Sequence, residues 1–203
     1  MKTIAKTLSN VLAAVAAFAA ISAFADPAPT AVSTWAGLQA ALDAGGSIVL
    51  AQDVVATADD RVLAIPTNTT VDLDLNGHVI DCSAMTNHTN WRLSFSDSAV
   101  LTLRDGSAAQ SGAIVKSAFM VPRTAVLNIY GGTLNGSGTT TSGVMCYGTL
   151  NMHGGAITGF HAPQYGGGVF VVADGVFNMY GGAIAGNTAN TLHQSNYRIP
   201  QRT

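Results

Sequence analysis

Apolar and polar residues alternate in short runs along most of this chain, and a period of two residues is typical of β-strands. The clearest runs align over ten residues without gaps, and in each of them two glycines follow the first four residues. Glycine tolerates the positive φ of a tight turn, so a turn is predicted there. Weaker copies precede these runs at intervals of 23 to 28 residues. The sequence predicts six stacked strands, which begin at Ile48, Leu73, Leu101, Leu127, Leu150 and Phe177.

Two columns of apolar side chains follow from aligning these strands. We expect both columns to point inward and to stack from one strand to the next, about 4.8 Å apart. The first column is Leu73, Leu101, Leu127, Leu150 and Phe177, and the second is Leu75, Leu103, Ile129, Met152 and Met179. A further strand in the coil is predicted to begin at Gly143 and again at Gly168, and no helical period separates the strands. This pattern predicts an all-β, parallel β-solenoid.

A single helix is predicted ahead of the first of these strands. Ser33 or Thr34 can cap a helix over residues 35–44, and Gly45–Gly46 can end it. We expect this helix to cover the open end of the first coil, because an uncovered strand edge can pair with another chain. At the opposite end, apolar periodicity stops after residue 189. We therefore expect an irregular tail or a truncated end there.

The first 25 residues have the pattern of an export signal. Lys2 and Lys6 precede an apolar run over 11–20, and Ala23–Ala25 supplies the small residues that signal peptidase requires. We expect cleavage before Asp26 and no membrane span afterwards. The apolar run is too short for a span, which needs about 20 residues. The expected location is secreted, periplasmic or cell-surface. The predicted organisation is a signal peptide at 1–25, a linker and capping helix at 26–46, a β-helix at 47–189 and an irregular tail or truncated end at 190–203.

The charge composition of the chain argues against nucleic acid as a partner. The chain has 9 Lys and Arg residues against 11 acidic residues, and every acidic residue is Asp. Without the two lysines of the signal, the net charge is about −4, which offers no basic surface to nucleic acid. The two cysteines, Cys82 and Cys146, fall about two coils apart in the alignment, farther than the Cα separation that a disulfide allows. We therefore expect two free or buried thiols.

Three segments near the C-terminus carry a family resemblance. Gly154–Gly159 reads Gly-Gly-Ala-Ile-Thr-Gly, Gly166–Phe170 reads Gly-Gly-Gly-Val-Phe, and Asn178–Gly182 reads Asn-Met-Tyr-Gly-Gly. In this order they resemble the coils of bacterial right-handed parallel β-helix proteins of the pectin-lyase-like superfamily, and most closely its glycine-rich, adhesin-like surface repeats. The resemblance implies a right-handed parallel β-helix of about six rungs with an N-terminal capping helix. It says less about function, because this architecture carries lyases, hydrolases, adhesins and passive stalks.

Enzymes of that superfamily cleave acidic polysaccharides with clustered Asp residues that bind Ca²⁺ or act as acid and base. The candidates here are Asp72, Asp74 and Asp81. Asp72 and Asp74 share the outward face of one strand about 7 Å apart, which suits two carboxylates at a glycosidic bond or one hard cation. The alignment places only Val100 and Thr102 beside them, and neither is a base or a charged ligand. We therefore expect a solvated face with no catalytic, metal or cofactor site, and Ca²⁺ only if the enzyme interpretation holds.

Two further columns consist of side chains that point outward, and in each of them polar or aromatic groups can stack from strand to strand as a ladder. The first holds Asp74, Thr102, Asn128, Asn151 and Asn178, and the second holds Asn76, Arg104, Tyr130, His153 and Tyr180. Stacked amides can hydrogen-bond along the axis and rings can stack at strand spacing, so the ladders can serve the fold alone. Amide donors and aromatic faces are also groups that glycan sites use. The structural interpretation is favoured, because parallel stacks form such ladders without a ligand.

Three functions remain open at this point. The favoured one is a non-catalytic, secreted or cell-surface β-helix that serves as an adhesin-like or structural repeat segment, with glycans or host and cell-surface components as candidate partners. The first alternative is a polysaccharide lyase or glycoside hydrolase, against which the short loops argue because they leave little room for a cleft. The second alternative is a glycan-binding module that uses Tyr130, His153, Tyr180, Asn128, Asn151 and Asn178.

Overall fold

The computed structural model describes residues 27–86 and 90–190. The signal peptide predicted at 1–25 and the tail after residue 190 lie outside the described residues. The described chain is all-β apart from one short helix, and its parallel strands stack as a β-solenoid of about 5 turns. All six predicted strands are present, and five turns of chain separate the first from the last. The predicted fold class is confirmed.

The helix and strands are short and follow one another closely. The helix α1 spans Trp35–Ala44, between the first two strands. The first ten strands are β1 (Thr30–Val32), β2 (Gly46–Leu50), β3 (Val54–Val55), β4 (Leu63–Ile65), β5 (Thr70–Asp74), β6 (Val79–Asp81), β7 (Leu93–Phe95), β8 (Val100–Arg104), β9 (Ala113–Val115) and β10 (Phe119–Val121). The remaining strands are β11 (Val126–Ile129), β12 (Thr133–Thr139), β13 (Val144–Cys146), β14 (Thr149–Met152), β15 (Ala156–Ala162), β16 (Val169–Val171), β17 (Val176–Met179), β18 (Ala183–Ala185) and β19 (Thr188–Ala189).

Each turn of the solenoid has three faces. The first sheet has the order β1-β2-β5-β8-β11-β14-β17, and the second has the order β3-β6-β9-β12-β15-β18. The third face consists of two shorter sheets, β4-β7 and β10-β13-β16, which meet where β7 contacts β10. The six predicted strands are those of the first sheet from β2 onward. Strand β1 was not predicted, because three residues are too few to show an alternating pattern.

The predicted register is wrong at one step, between β5 and β8. Leu73 lies opposite Leu103 and Val71 lies opposite Leu101, whereas the sequence alignment pairs Leu73 with Leu101. A shift of two residues leaves the same side chains pointing inward, so the alternating pattern cannot detect it. The later steps of the first column are confirmed, with Leu101, Leu127, Leu150 and Phe177 facing one another in successive strands.

Tight glycine turns join the first sheet to the second, as predicted. Gly132, Gly155 and Gly182 have φ values of 79°, 71° and 86°, which favour glycine over any residue with a side chain. Space is also limiting, because a Cβ atom on Gly155 would lie 2.5 Å from the carbonyl oxygen of Gly132 one coil earlier. Consecutive turns therefore pack directly on one another along the axis.

The predicted capping helix is confirmed, including its ends. The Thr34 hydroxyl accepts the backbone N–H of Gly37 at the N-terminus, and Gly45, with φ at 72°, donates to Ala41 at the C-terminus. The predicted stripe of Trp35, Leu38, Ala41 and Leu42 is buried against the solenoid core. Among the described residues, no helix is long and apolar enough to cross a membrane.

Both cysteines are buried in the solenoid interior and free, as predicted. Burial raises the pKa of the Cys82 thiol to about 12, with Arg92 lowering it and Asp81 raising it to smaller extents. Burial also raises the pKa of Cys146, against smaller opposing effects of backbone hydrogen bonds. The thiolate is the reactive form of cysteine, so neither residue is poised for chemistry at neutral pH.

Candidate functional site

The outward side chains of the first sheet form the face on which both candidate sites lie, and we call it the outer face. The corrected register changes its two columns at the β5 end. The amide column is Asp72, Thr102, Asn128, Asn151 and Asn178. The ring column is Asp74, Arg104, Tyr130, His153 and Tyr180. The sequence alignment placed Asp74 in the amide column and Asn76 in the ring column. Both placements are therefore wrong by two residues.

The amide column is a continuous chain of hydrogen bonds along the solenoid axis. The Asn178 side-chain amide donates to Asn151 over 2.9 Å, and Asn151 donates to Asn128 over 2.9 Å. Asn128 in turn donates to the Thr102 hydroxyl over 3.3 Å. A side-chain amide has two N–H groups and two acceptor lone pairs. Among residues 27–86 and 90–190, the second N–H of each Asn in this ladder has no partner, and a ligand could use it.

The ring column is a stack of three parallel rings. The Tyr130 and His153 rings are 4.4 Å apart with 1° between their planes, and the His153 and Tyr180 rings are 4.7 Å apart with 18° between their planes. Stacking covers both faces of the His153 ring and one face of each Tyr ring. Tyr180 is 68% exposed. A ligand could therefore contact mainly the edges of these rings and the one side of the Tyr180 ring that His153 does not cover.

The acidic end of the outer face is an ion pair rather than an open pair of carboxylates. Arg104 donates through Nε and Nη2 to the two carboxylate oxygens of Asp72, over 2.7 and 2.6 Å. The Asp74 carboxylate accepts the backbone N–H groups of Asn76 and Gly106, both over 2.8 Å. The sequence interpretation of Val100 and Thr102 as the neighbours of Asp72 and Asp74 is wrong, because the register places Thr102 and Arg104 there.

Asp81 does not join the other two acidic candidates. It lies on β6 in the second sheet, and its carboxylate accepts the backbone N–H of Ser83 over 2.8 Å. The proposed cluster of three is therefore split between two faces of the solenoid. Within residues 27–86 and 90–190, no group of three His, Cys, Asp or Glu side chains is arranged to hold a metal ion.

A shallow groove of about 320 Å³ lies beside Asp72, and we call it the proline groove. One wall is the segment 27–29, with Pro27 and Pro29, which leads into β1. The rest of the groove is lined by Ser47, Ile48, Val49, Asp72, Asp74 and Arg104. No sequence pattern predicts this groove, because it depends on β1 and on the strand register that sets Asp74 opposite Arg104.

Asp105 has a structural role that the sequence interpretation missed. It is buried and accepts the backbone N–H groups of Gly77, Ser107 and Gly112. Burial acts to raise the pKa of Asp105, but the hydrogen bonds from Ser107, Gly112 and Gly77 together lower it below its ordinary value. The charged carboxylate thus joins the turns of two successive coils.

A third column of outward side chains lies on the third face, and its strands are too short to produce a recognisable sequence pattern. Met120, Met145 and Phe170 are the central residues of β10, β13 and β16 and lie opposite one another. Tyr165 stacks on Phe170 with a ring separation of 4.5 Å and an angle of 6° between the planes. Three-residue strands show no alternation that a sequence pattern could reveal.

Comparison of the chain with protein-family models, with curated protein sequences and with solved structures gives no significant match.

Proposed function

We propose that this chain is a non-catalytic solenoid segment of a secreted or cell-surface protein, with an adhesin-like or structural role. The observation that carries the proposal is that the two carboxylates on the outer face already accept hydrogen bonds from the protein itself. Asp72 is held at both oxygens by Arg104, and Oδ1 of Asp74 accepts two backbone N–H groups. A general acid or base needs a carboxyl group that is free to exchange a proton with substrate.

The secreted or cell-surface location is part of this proposal and rests on the N-terminal sequence. Lys2, Lys6, the apolar run and Ala23–Ala25 have the order of a cleavable signal. The glycine-rich coils support kinship with bacterial right-handed β-helix proteins of the pectin-lyase-like superfamily and with its adhesin-like members. N-terminal sequencing of the chain exported by a bacterial host should give a first residue of Asp26. Retention of Met1 in the exported protein would contradict the signal-peptide assignment.

The absence of catalysis is tested by incubating the mature chain with acidic and neutral polysaccharides, with and without Ca²⁺. The expected result is no release of reducing or unsaturated ends above a heat-unfolded sample. Turnover that disappears in Asp72→Asn while the unfolding curve stays unchanged would contradict the proposal and support a lyase or hydrolase. Asp59→Asn, an exposed turn carboxylate, is the matched control for loss of one acidic charge.

Glycan binding is the second candidate function, and a specific observation favours it. The Asn ladder keeps one free N–H per coil beside the exposed Tyr180 ring, so donors and an aromatic face lie together. Polar groups of fixed position next to an apolar surface are what small-ligand sites use for orientation and affinity.

A glycan array with the mature chain tests this candidate. Binding that is lost in Tyr180→Ala and retained in Tyr165→Ala would support it, because the two substitutions each remove one stacked Tyr ring on different faces. Equal binding by wild type and Tyr180→Ala, or no binding by wild type, would leave the ladder with its structural role alone.

A further inference from the structure

The proline groove lies on the outer face, beside the first strand of the first sheet. Val49 of β2 lies opposite Asp74 of β5, and β1 pairs with the other side of β2. Among the described residues, β1 pairs with β2 alone, so it is an edge strand. The segment 27–29, which forms one wall of the groove, leads directly into β1. Whatever binds this segment in the groove also holds the start of the edge strand.

Two charged side chains of the groove each keep one atom without a partner. Arg104 binds Asp72 through Nε and Nη2, and Asp74 accepts two backbone N–H groups through Oδ1. Within residues 27–86 and 90–190, neither Nη1 of Arg104 nor Oδ2 of Asp74 has a hydrogen-bond partner. A guanidinium nitrogen donates and a carboxylate oxygen accepts. The groove therefore offers one donor and one acceptor of opposite charge.

The residue that precedes this wall carries both complementary charges once the signal is removed. Cleavage is expected before Asp26, so the inference rests on the export assignment of the proposed function. Cleavage converts the amide nitrogen of Asp26 into an ammonium group, and the side chain of this residue is a carboxylate. Consecutive Cα atoms are about 3.8 Å apart, which keeps Asp26 beside Pro27 in the groove wall. The groove, at about 320 Å³, has room for one such residue.

The two prolines of the wall favour binding of the terminus in the groove. A proline ring fixes φ at about −65°, so Pro27 and Pro29 leave the segment few conformations to lose when its end is held. Proline also lacks a backbone N–H, so neither residue can donate to a neighbouring strand. The segment 27–29 is therefore suited to end the sheet and to hold a charged terminus on the outer face.

We propose that the ammonium group of Asp26 binds Oδ2 of Asp74, while the Asp26 carboxylate binds Nη1 of Arg104. The two contacts hold the start of β1 against the outer face. In the uncleaved precursor the same nitrogen is a neutral amide joined to Ala25, so the contact with Asp74 forms only after the signal is removed. Signal cleavage thus completes the first coil of the solenoid and stabilises its edge strand.

Amine labelling followed by peptide mass spectrometry tests the contact with Asp74. The chain is prepared with Asp26 as its first residue by removal of an N-terminal fusion, so the result does not depend on export. The amines of this chain are the α-amino group and the Lys116 side chain, because the other two lysines belong to the signal. The α-amino group of wild type should react about two- to fivefold more slowly with an acylating reagent than that of Asp74→Asn, as expected for an exposed ion pair. Lys116 should react equally in both.

The variants are chosen to change one contact at a time. In Asp74→Asn the side chain keeps Oδ1 as the acceptor of its two backbone N–H groups, and only Oδ2 is replaced. Asp59→Asn, in an exposed turn, is the matched control and should label like wild type. One glycine added before Asp26 moves the ammonium group away, so Asp74→Asn should then leave α-amino labelling unchanged.

Three results would overturn the proposal, and they separate its failure from that of the export assignment. Equal α-amino labelling in wild type and Asp74→Asn would overturn the contact itself. An undiminished difference in the glycine-extended chain would mean that Asp74 acts on the amine through its general field and not by binding it. An exported chain that starts at a residue other than Asp26 would overturn the export assignment and with it the natural occupant of the groove, even if the prepared chain shows the contact.

Discussion

Asp72 and Arg104 lie on neighbouring strands of the first sheet and share two hydrogen bonds of 2.7 and 2.6 Å. Arg104 is aligned with Asp74 and reaches diagonally to Asp72. This pair converts the one outward pair of carboxylates singled out from the sequence into a cross-strand ion pair. The same relationship depends on the register step that the sequence alignment misses.

Removing this ion pair should cost little stability. Asp72 and Arg104 side chains are 36% and 47% exposed, and exposed pairs contribute about 0 to 1 kcal/mol because water screens them. We expect Asp72→Asn to lower the free energy of unfolding by at most about 1 kcal/mol, with a smaller effect at high salt. Urea unfolding of the single variants and of Asp72→Asn with Arg104→Gln measures the coupling. A loss well above this range would mean that the pair is shielded from solvent.

Stability should fall in acid through Asp105. Its pKa in the folded chain is below the ordinary value of 3.8, so folding favours the charged form. The stabilisation is present in full above the unfolded-state pKa and is lost as the pH falls through the folded-state pKa. Urea unfolding between neutral pH and strongly acidic pH should show this loss in wild type.

Asp105→Asn is the variant that isolates this contribution. It should be less stable at neutral pH by about 1 to 3 kcal/mol, because an amide cannot accept all the bonds that the carboxylate accepts. Its stability should also vary less with pH than that of wild type. Asp59→Asn, in an exposed turn, is the matched control. An unchanged pH dependence in Asp105→Asn would refute the role given to this carboxylate.

Two glycines with positive φ should differ in their tolerance of alanine. Gly138 and Gly155 both have positive φ, at 79° and 71°, but a Cβ on Gly138 meets nothing within 4 Å. A Cβ on Gly155 would lie 2.5 Å from a backbone oxygen. Gly138→Ala should cost about 1 kcal/mol from the backbone conformation alone. Gly155→Ala should cost clearly more, and equal losses in thermal unfolding would argue against direct coil-to-coil packing at the turn.

The stacked rings should make a modest contribution to stability. His153 stacks on both Tyr130 and Tyr180, and an aromatic pair contributes about 0.5 to 1.5 kcal/mol beyond area burial. His153→Ala should therefore destabilise the chain more than Tyr180→Ala, which breaks one stack only. Chemical unfolding of the two variants gives the comparison. A larger loss in Tyr180→Ala would mean that the end ring has a further partner.

The sequence predicts the architecture well because its dominant signals are local and repeated. Alternation places Leu127, Leu150 and Phe177 in one inward column, and the paired glycines mark the turns after them. The capping helix is equally readable, since Thr34 and Gly45 are ordinary end signals.

The candidate site was harder to predict, because it depends on pairings between strands. A two-residue slip at β5 preserves the inward pattern and still moves Asp74 from Thr102 to Arg104. Short strands such as β1 and β10 carry no period of their own, so the proline groove and the Met120 column had no sequence signal. The Asn and Tyr ladders were found because they lie where the repeat is strongest.

The polar outer face serves the stability of the solenoid, and Asn151 is the position at which this role can be measured. Asn151 is half-buried, donates to Asn128 and accepts from Asn178, so its loss breaks two bonds of the ladder. Asn178→Ala breaks one bond and is the matched control. The measurement is the free energy of unfolding of Asn128→Ala, Asn151→Ala, their double variant and Asn178→Ala.

We expect a loss of about 1 to 3 kcal/mol for Asn151→Ala, a smaller loss for Asn178→Ala, and a coupling between Asn128 and Asn151 of at least about 0.5 kcal/mol. Additive effects with no coupling, in variants that remain folded, would contradict it. In that case the ladder would make no cooperative contribution to stability, and ligand binding would be the role left for its side chains.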